Sequence, residues 1–176
     1  IGENLGYEAY IAIIPGKLLA EIYIAYGSKV LEGNVRAFLG TSGSKSVNNG
    51  IKRTINNDAT KFFTYNNGIA TTAKDVEVEN INGQSLITKI EDFQIINGGQ
   101  TTATLADAVL KKNNVRLEGI YVPMKLTVIE DRETENEDGV RFYDEMVQAI
   151  ARYANSQNKV TAADLFSNDP FHIWME

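Results

Sequence analysis

A polar corner in the sequence "INGGQTT" combines the backbone and side-chain groups that proteins use to bind phosphate. The apolar run "FQII" ends there, and "QTTATLADAVLKK" then has the composition of a helix. Gly98 and Gly99 can adopt positive φ, which lets a ligand approach the backbone closely. The first N–H groups of the helix lack intrahelical partners and favour an anion, while Asn97, Gln100 and Thr101 add amides and a hydroxyl. The pattern predicts a phosphate or nucleotide site, with a plain turn and a capped helix as the alternative.

A second polar corner, "YNNG", interrupts a stretch of β-favouring residues. Asn66, Asn67 and Gly68 tolerate left-handed backbone, and Tyr65 offers an aromatic face for stacking and a hydroxyl for hydrogen bonding. If both corners belong to strands of one small sheet, they can meet at one edge and share a ligand. The alternative is a tight turn or a β-bulge that binds nothing.

A third group of polar side chains follows an amphipathic run near the end of the chain, in "ARYANSQNKV". Arg152 precedes Asn155 and Gln157, and an arginine beside side-chain amides can hold a phosphate or a base through several hydrogen bonds. Arg152 would supply the positive charge that the two neutral corners lack, by reaching over the sheet toward Gln100. The alternative is that these amides end one helix and precede the next.

The apolar periodicity of the first eighty residues predicts the elements that lead to the second corner. We expect a strand over residues 7–14 and a helix over residues 16–26. Apolar residues that recur every four positions predict a helix over residues 46–58, in spite of the interior Gly50. A strand is then expected from residue 60 to residue 79, broken at "NNG".

Turn residues and periodicity also predict the elements on either side of the first corner. The dipeptide "NG" in "NINGQS" lies between two β-favouring runs and predicts a hairpin. Its returning strand is expected over residues 85–96. A helix should cover residues 101–111, with Leu105, Val109 and Leu110 facing inward, and "GIYVPMKLTVIE" should form another strand.

The last third of the chain predicts further helices after the acidic, solvent-favouring loop "DRETENEDG". A helix over residues 140–155 should present Phe142, Met146, Ile150 and Tyr153 on one face, and two shorter helical pieces follow. This succession of elements favours an α+β domain with a small, mostly antiparallel sheet flanked by helices. A strand, the two glycines and a helix form the corner at the expected site.

The composition excludes several classes of site. The chain has 176 residues and no cysteine, which excludes disulfides, thiolate metal sites and cysteine nucleophiles. His172 is the single histidine, no carboxylates have the spacing of metal ligands, and we expect no metal site. The net charge of −6 argues against a broadly basic nucleic-acid surface, although a local groove can still hold a phosphate. No apolar run is long enough to span a membrane, and we expect a cytoplasmic protein.

The organisation of the chain predicts a single domain over residues 1–176 that is a fragment of a longer protein. The sequence starts with Ile1 instead of Met, and it stops shortly after the helix start "NDPF". No repeat, low-complexity tract or linker divides it.

Five segments, taken in order, resemble the AIPR family, which is named for abortive infection and phage resistance in bacteria. The segments are "NVRAFLG", "VNNGIKRTI", "FFTYNNGIATTA", "FQIINGGQTTATL" and "ARYANSQNKVTAADLFSNDPFH". The resemblance implies that residues 34–176 are the core of such a protein and that residues 1–33 are the end of its N-terminal region. It also implies that the family's C-terminal part is missing from this sequence.

The resemblance implies a role in defence against phage or other foreign DNA, with restriction or modification enzymes or other defence proteins as candidate partners. It names no cofactor and no catalytic residue. Together with the polar corners, it predicts a domain that binds a nucleotide or a nucleic-acid phosphate. The expected ligand-binding residues are Tyr65, Asn66, Asn67, Gly68, Asn97, Gly98, Gly99, Gln100, Thr101, Arg152, Asn155 and Gln157. Two alternatives are a nuclease whose catalytic residues lie partly outside the fragment, and a non-catalytic sensor or scaffold whose corners brace one another.

Overall fold

Six strands and five α-helices form the part of the chain that the structure describes. The computed structural model describes residues 6–31, 45–110, 117–129 and 137–156. The strands are β1 (Tyr7–Pro15), β2 (Ile69–Ala73), β3 (Asp75–Ile81), β4 (Gln84–Glu91), β5 (Gln94–Asn97) and β6 (Tyr121–Ile129). The helices are α1 (Gly16–Tyr26), α2 (Lys45–Asn57), α3 (Phe62–Tyr65), α4 (Gly99–Leu110) and α5 (Glu137–Ser156), with short 3-10 helices at Gly27–Val30 and Ala59–Lys61.

The strands form a mixed four-stranded sheet and a separate hairpin. The order in the larger sheet is β1-β6-β2-β5. Its outer pairs, β1 with β6 and β2 with β5, are antiparallel, whereas β2 and β6 run parallel. β3 and β4 pair with each other in an antiparallel, two-stranded sheet. The expected α+β class, with mostly antiparallel pairing and flanking helices, is confirmed.

The larger sheet carries the main core on one side, which we call the first face. Side chains alternate between the two faces of a strand, and Val122, Met124 and Leu126 of β6 all point into this core. Leu19 of α1 and Leu105 of α4 are buried in the same cluster. The first face is therefore covered by α1 and α4, which leaves the opposite, second face to α5.

α5 covers only the half of the second face that belongs to β5, β2 and the end of β6. Val147 and Ala151 of α5 pack with Ile96 of β5 and Ile129 of β6. On β1, at the far edge of the sheet, Ile11 is 90% exposed. The chain after the Gly-Gly corner thus returns over the first face as α4, and α5 lies over the second.

Residues 59–65 are helical, which corrects the strand expected from residue 60. The N–H of Asn66 donates to the carbonyl oxygen of Phe62 at 3.0 Å, which closes one helical turn. Phe62 is fully buried, whereas Phe63 and Tyr65 are exposed. The turn buries one aromatic ring in the core, and such tertiary packing overrides the β propensity of the local sequence.

The chain changes sheets twice, which corrects two strands that were expected to be continuous. Lys74 separates β2 from β3, and Asp92, with φ of 51°, separates β4 from β5. The N–H of Lys74 donates to the carbonyl oxygen of Glu91 at 2.9 Å, so the two crossing points lie side by side. The predicted hairpin is confirmed, because Asn82 and Gly83 have φ of 54° and 81° at its turn.

The buried side of α4 is shorter than expected. Leu105 is fully buried as predicted, but Val109 and Leu110 are exposed. The buried residues of α4 all lie in its first two turns. The last turn therefore presents its apolar side chains to solvent within the described part of the fold.

The apolar stripe of α5 is rotated from the one expected. Phe142, Met146 and Ile150 pack against the second-face cluster as predicted, but they flank Val147, which is among its buried members. Tyr153 lies at the border of this stripe and is exposed. Residues 137–139 of the expected acidic loop form the first turn of α5, while the helical pieces expected after residue 156 lie outside the described residues.

Membrane insertion finds no support in the described helices. None of them is both long enough and apolar enough to cross a bilayer.

Two adjacent threonines of β2 allow a stability prediction. Thr71 and Thr72 are 1% and 0% exposed. The hydroxyl of Thr71 donates to the carbonyl oxygen of Lys125 at 3.2 Å, whereas the Thr72 hydroxyl has no hydrogen-bond partner among the residues that the structure describes. A buried, unpaired hydroxyl costs about 1–3 kcal/mol. We therefore expect Thr72→Val to raise the free energy of unfolding by about that amount, measured by urea denaturation.

Thr71→Val is the matched control, because the same isosteric change removes a hydrogen bond worth about 0.5–1.5 kcal/mol. It should lower the free energy of unfolding. The prediction fails if the two variants shift stability in the same direction.

Candidate functional site

The two polar corners predicted from the sequence meet at one edge of the larger sheet. β2 begins just after "YNNG" and β5 ends just before the two glycines. Because β2 and β5 are antiparallel neighbours, the start of one strand lies beside the end of the other, with Ala70 opposite Asn97. The expectation that the corners share an edge is confirmed.

Asn66 links the two corners through its side-chain amide. Its Nδ2 donates to the Oγ1 of Thr101, in the first turn of α4, at 3.2 Å. Its Oδ1 accepts a hydrogen bond from the N–H of Gly68 at 2.9 Å. One half-buried amide thus closes its own turn and fixes that turn to the helix that follows the other corner.

Gly68 and Gly98 permit the close approach of the corners and β6. Their φ values are 79° and 93°, a region that side chains with a Cβ disfavour. A Cβ on Gly68 would overlap the carbonyl oxygen of Pro123 in β6, and a Cβ on Gly98 would overlap the side chain of Ile69. The fold itself therefore requires both glycines, whether or not a ligand binds.

The first turn of α4 is fixed by Thr102. Its N–H and its hydroxyl both donate to the carbonyl oxygen of Gly98, at 3.1 Å and 3.2 Å. Thr101 is buried and Gln100 is half-buried in the same turn. The N–H groups of Gly99 and of the next two residues precede the first intrahelical bond, so they form the positive end of the helix dipole.

A cleft of about 290 Å³ opens beside Asn66, between α2 and α3. α2 contributes one wall, α3 contributes another, and the Asn66 amide lies where they converge. The lining residues are Gly50, Ile51, Thr54, Phe62, Tyr65 and Asn66. The cleft therefore places the exposed Tyr65 and polar groups of α2 beside the amide that joins the two corners.

The described side chains that line the cleft carry no formal charge. The lysines of the neighbouring segments pair with carboxylates: Lys52 of α2 lies 3.0 Å from Asp107, and Lys61 lies 3.3 Å from Asp58. The hydrogen bond to Asp58 is the main cause that raises the pKa of Lys61 above its ordinary value. The cleft is thus an uncharged surface with paired ions around it.

The other predicted site residues lie at varying positions. Tyr65 and Asn67 are exposed, while Asn97 is half-buried. Arg152 is exposed on α5, the helix that covers the second face, whereas the cleft lies beside the first turn of α4. The backbone of Asn155 belongs to α5, and Gln157 lies outside the described residues. The role predicted for Arg152 and its neighbours stays a prediction.

Sequence reasoning missed the contribution of α2 to this region. Gly50, Ile51 and Thr54 were interpreted as parts of an amphipathic helix, not as lining residues. The signal was Gly50, a glycine in the middle of a helix, which needs a reason because it costs helix stability.

Among the described residues, no group of three carboxylate or imidazole side chains lies close enough together to hold a metal ion. The nuclease alternative, which was expected to need residues beyond this sequence, stays a prediction.

Comparison with known proteins identifies the family to which the chain belongs. No curated protein and no solved structure matches the chain. The AIPR protein family matches residues 31–176, a range that contains both corners, the cleft and α5. The match supports a phage-defence domain of the abortive-infection type. The chain belongs to the AIPR protein family.

Proposed function

We propose that this AIPR domain binds a nucleotide, or the phosphate and base of a nucleic acid, where the two polar corners meet. The observation that carries the proposal is the position of Asn66, which joins the corners and also lines the 290 Å³ cleft. A ligand in the cleft would touch both corners through one side chain. Binding there would act on the β2 and β5 edge of the sheet through the hydrogen bonds of Asn66.

The parts of the site suit different parts of a nucleotide. The Tyr65 ring is 64% exposed and lines the cleft, and an exposed aromatic ring stacks on any base. The first N–H groups of α4 lie one hydrogen bond away from Asn66, through Thr101, and the end of a helix dipole favours a phosphate. In this arrangement α2 and α3 hold the base, while α4 faces the phosphate.

A structural role for the corners is the second candidate. It is favoured because the Asn66 amide already makes two intramolecular hydrogen bonds and because Gly68 and Gly98 are required by packing. In this case the domain is a non-catalytic scaffold or sensor, and the corners brace the sheet without a ligand. The two candidates differ in whether Tyr65, which is exposed and does not brace the fold, matters for binding.

Tyr65→Ala tests the proposed function. Stacking of one base on an aromatic ring contributes about 1–3 kcal/mol, so the variant should bind nucleotides or single-stranded oligonucleotides about tenfold more weakly than the parent chain. The measurements are isothermal titration calorimetry with the ribonucleoside triphosphates and fluorescence anisotropy with labelled single-stranded DNA and RNA.

Tyr26→Ala is the control, because Tyr26 is 62% exposed at the end of α1 and does not line the cleft. It should leave binding unchanged. Absence of binding by the parent chain would favour the scaffold instead, and parent-like binding by both variants would contradict a role for Tyr65 in the site.

A further inference from the structure

Gly50 stands at a helical position where the fold gives no reason for a glycine. It is the sixth residue of α2, which runs from Lys45 to Asn57, and it is exposed. A Cβ built on Gly50 meets no atom of the described residues within 4 Å, apart from its chain neighbours and its own helix backbone, and the φ of Gly50 is not positive. This contrasts with Gly68, whose added Cβ would overlap β6. Neither close packing nor backbone conformation therefore requires a glycine at residue 50.

Gly50 instead forms part of the wall of the cleft. Gly50 lines the cleft together with Ile51 and Thr54, its neighbours on the same side of α2. The Thr54 hydroxyl donates to the carbonyl oxygen of Gly50 at 3.2 Å, so that oxygen is already engaged. Because Gly50 has no side chain, the cleft keeps open space along the backbone of α2. A methyl group at residue 50 would narrow the cleft.

The cleft around Gly50 has the chemistry of a nucleobase pocket. Tyr65, which is 64% exposed, lines one side of it, and its described lining has no cation to meet a phosphate. Its volume of about 290 Å³ lies just below the roughly 300–1,000 Å³ typical of small-molecule pockets. An uncharged base suits a lining without charge better than a multiply charged phosphate does.

The Asn66 amide adds a means of recognising the edge of a base. It donates one N–H to Thr101 and accepts one hydrogen bond from Gly68. A side-chain amide has two donor hydrogens and two acceptor lone pairs. With respect to the described residues it therefore retains one of each for a ligand, which is the combination that pairs with the edges of nucleobases.

We propose that Gly50 is a specificity-determining residue whose open side admits a nucleobase, stacked against Tyr65 and read by Asn66. This inference rests on the proposed function and assigns the base, not the phosphate, to the cleft. A side chain at residue 50 would occupy the space of the base, while it would strengthen α2. In this proposal Gly50 lowers the stability of α2 and leaves room for the base.

The test is a size series at residue 50, Gly50→Ala and Gly50→Leu, with each folded variant checked by thermal denaturation. Replacing an exposed glycine inside a helix should raise the Tm of Gly50→Ala by about 2–4 °C. The probes are adenosine, guanosine, cytidine and uridine, which carry no phosphate, and inorganic tripolyphosphate, which carries no base. We expect affinity for at least one nucleoside in the parent chain, a loss of about tenfold in Gly50→Ala and a greater loss in Gly50→Leu. Tripolyphosphate affinity should not change.

The control is Asn56→Ala, an exposed position about 200° around α2 from Thr54. It should preserve nucleoside binding. Unchanged nucleoside affinity in both Gly50 variants would overturn the inference, as would binding of tripolyphosphate without any nucleoside. The second result would leave the proposed function standing with the phosphate alone as its ligand. Absence of binding by every nucleoside, nucleotide and oligonucleotide would overturn both proposals.

Discussion

Gly68→Ala should lower the free energy of unfolding by about 2–5 kcal/mol. Gly68 has φ of 79°, and a left-handed conformation costs an L-residue about 1–2 kcal/mol. Its added Cβ would also overlap the carbonyl oxygen of Pro123 in β6, and overpacking at such a site adds about 1–3 kcal/mol. The corner cannot move away easily, because the next residue begins β2, which pairs with both β6 and β5.

Gly83→Ala separates the two causes. Gly83 has φ of 81°, nearly the value at Gly68, but a Cβ there meets nothing within 4 Å. Its substitution should cost only the backbone term of about 1–2 kcal/mol. Urea denaturation followed by circular dichroism measures both variants. Equal losses at Gly68 and Gly83 would show that close packing against β6 contributes nothing and that the corner is an ordinary turn.

Local turn chemistry explains why the two corners could be predicted from the sequence. Asn-Asn-Gly and Asn-Gly-Gly encode positive φ through their own residue types, whatever the rest of the chain does. Gly68 and Gly98 do adopt it. The dipeptide Asn82-Gly83 forms its hairpin for the same reason. β5 follows the hairpin directly and pairs with β2 in the antiparallel arrangement that the sequence predicted for most of the sheet.

The distribution of strands between two sheets could not be predicted in the same way. The break at Lys74 and the break at Asp92 carry β-favouring residues on both sides, and β propensity does not specify which partner a strand pairs with. The parallel pairing of β2 with β6 joins segments more than fifty residues apart, with Ile69 opposite Met124. Both strands contribute to the core that lies under α1 and α4, so their pairing depends on tertiary packing.

The sequence predicted the two turns of the candidate site but not the helices that line its cleft. The cleft depends on how α2 packs beside α3 and α4, for which the ion pair between Lys52 and Asp107 is one long-range contact. Helical periodicity assigned Ile51 to an apolar face without saying which partner that face meets. The role predicted for the Arg152 guanidinium also depends on tertiary packing. Arg152 lies on α5, and α5 covers the second face of the sheet.

Asn66→Ala should lower the free energy of unfolding by about 2–4 kcal/mol, because it removes two hydrogen bonds and leaves the N–H of Gly68 without its acceptor. Asn80→Ala is the matched control. Asn80 accepts a hydrogen bond from the N–H of Gly83 at 3.1 Å in an exposed turn, where water can replace it. The control variant should therefore lose less than about 1 kcal/mol.

A double-mutant cycle between Asn66 and Thr101 isolates the link between the corners. Thr101→Val removes the acceptor of the Asn66 Nδ2 hydrogen bond while it keeps the shape of the side chain. Residues that share a hydrogen bond couple by about 0.5–3 kcal/mol in such cycles, so the double variant should be more stable than the sum of the single losses implies. Additive losses would mean that the corners are neighbours without mutual support. A ligand that contacts Asn66 would then have no route through this bond to the first turn of α4, and sensing by the sheet edge would need another contact.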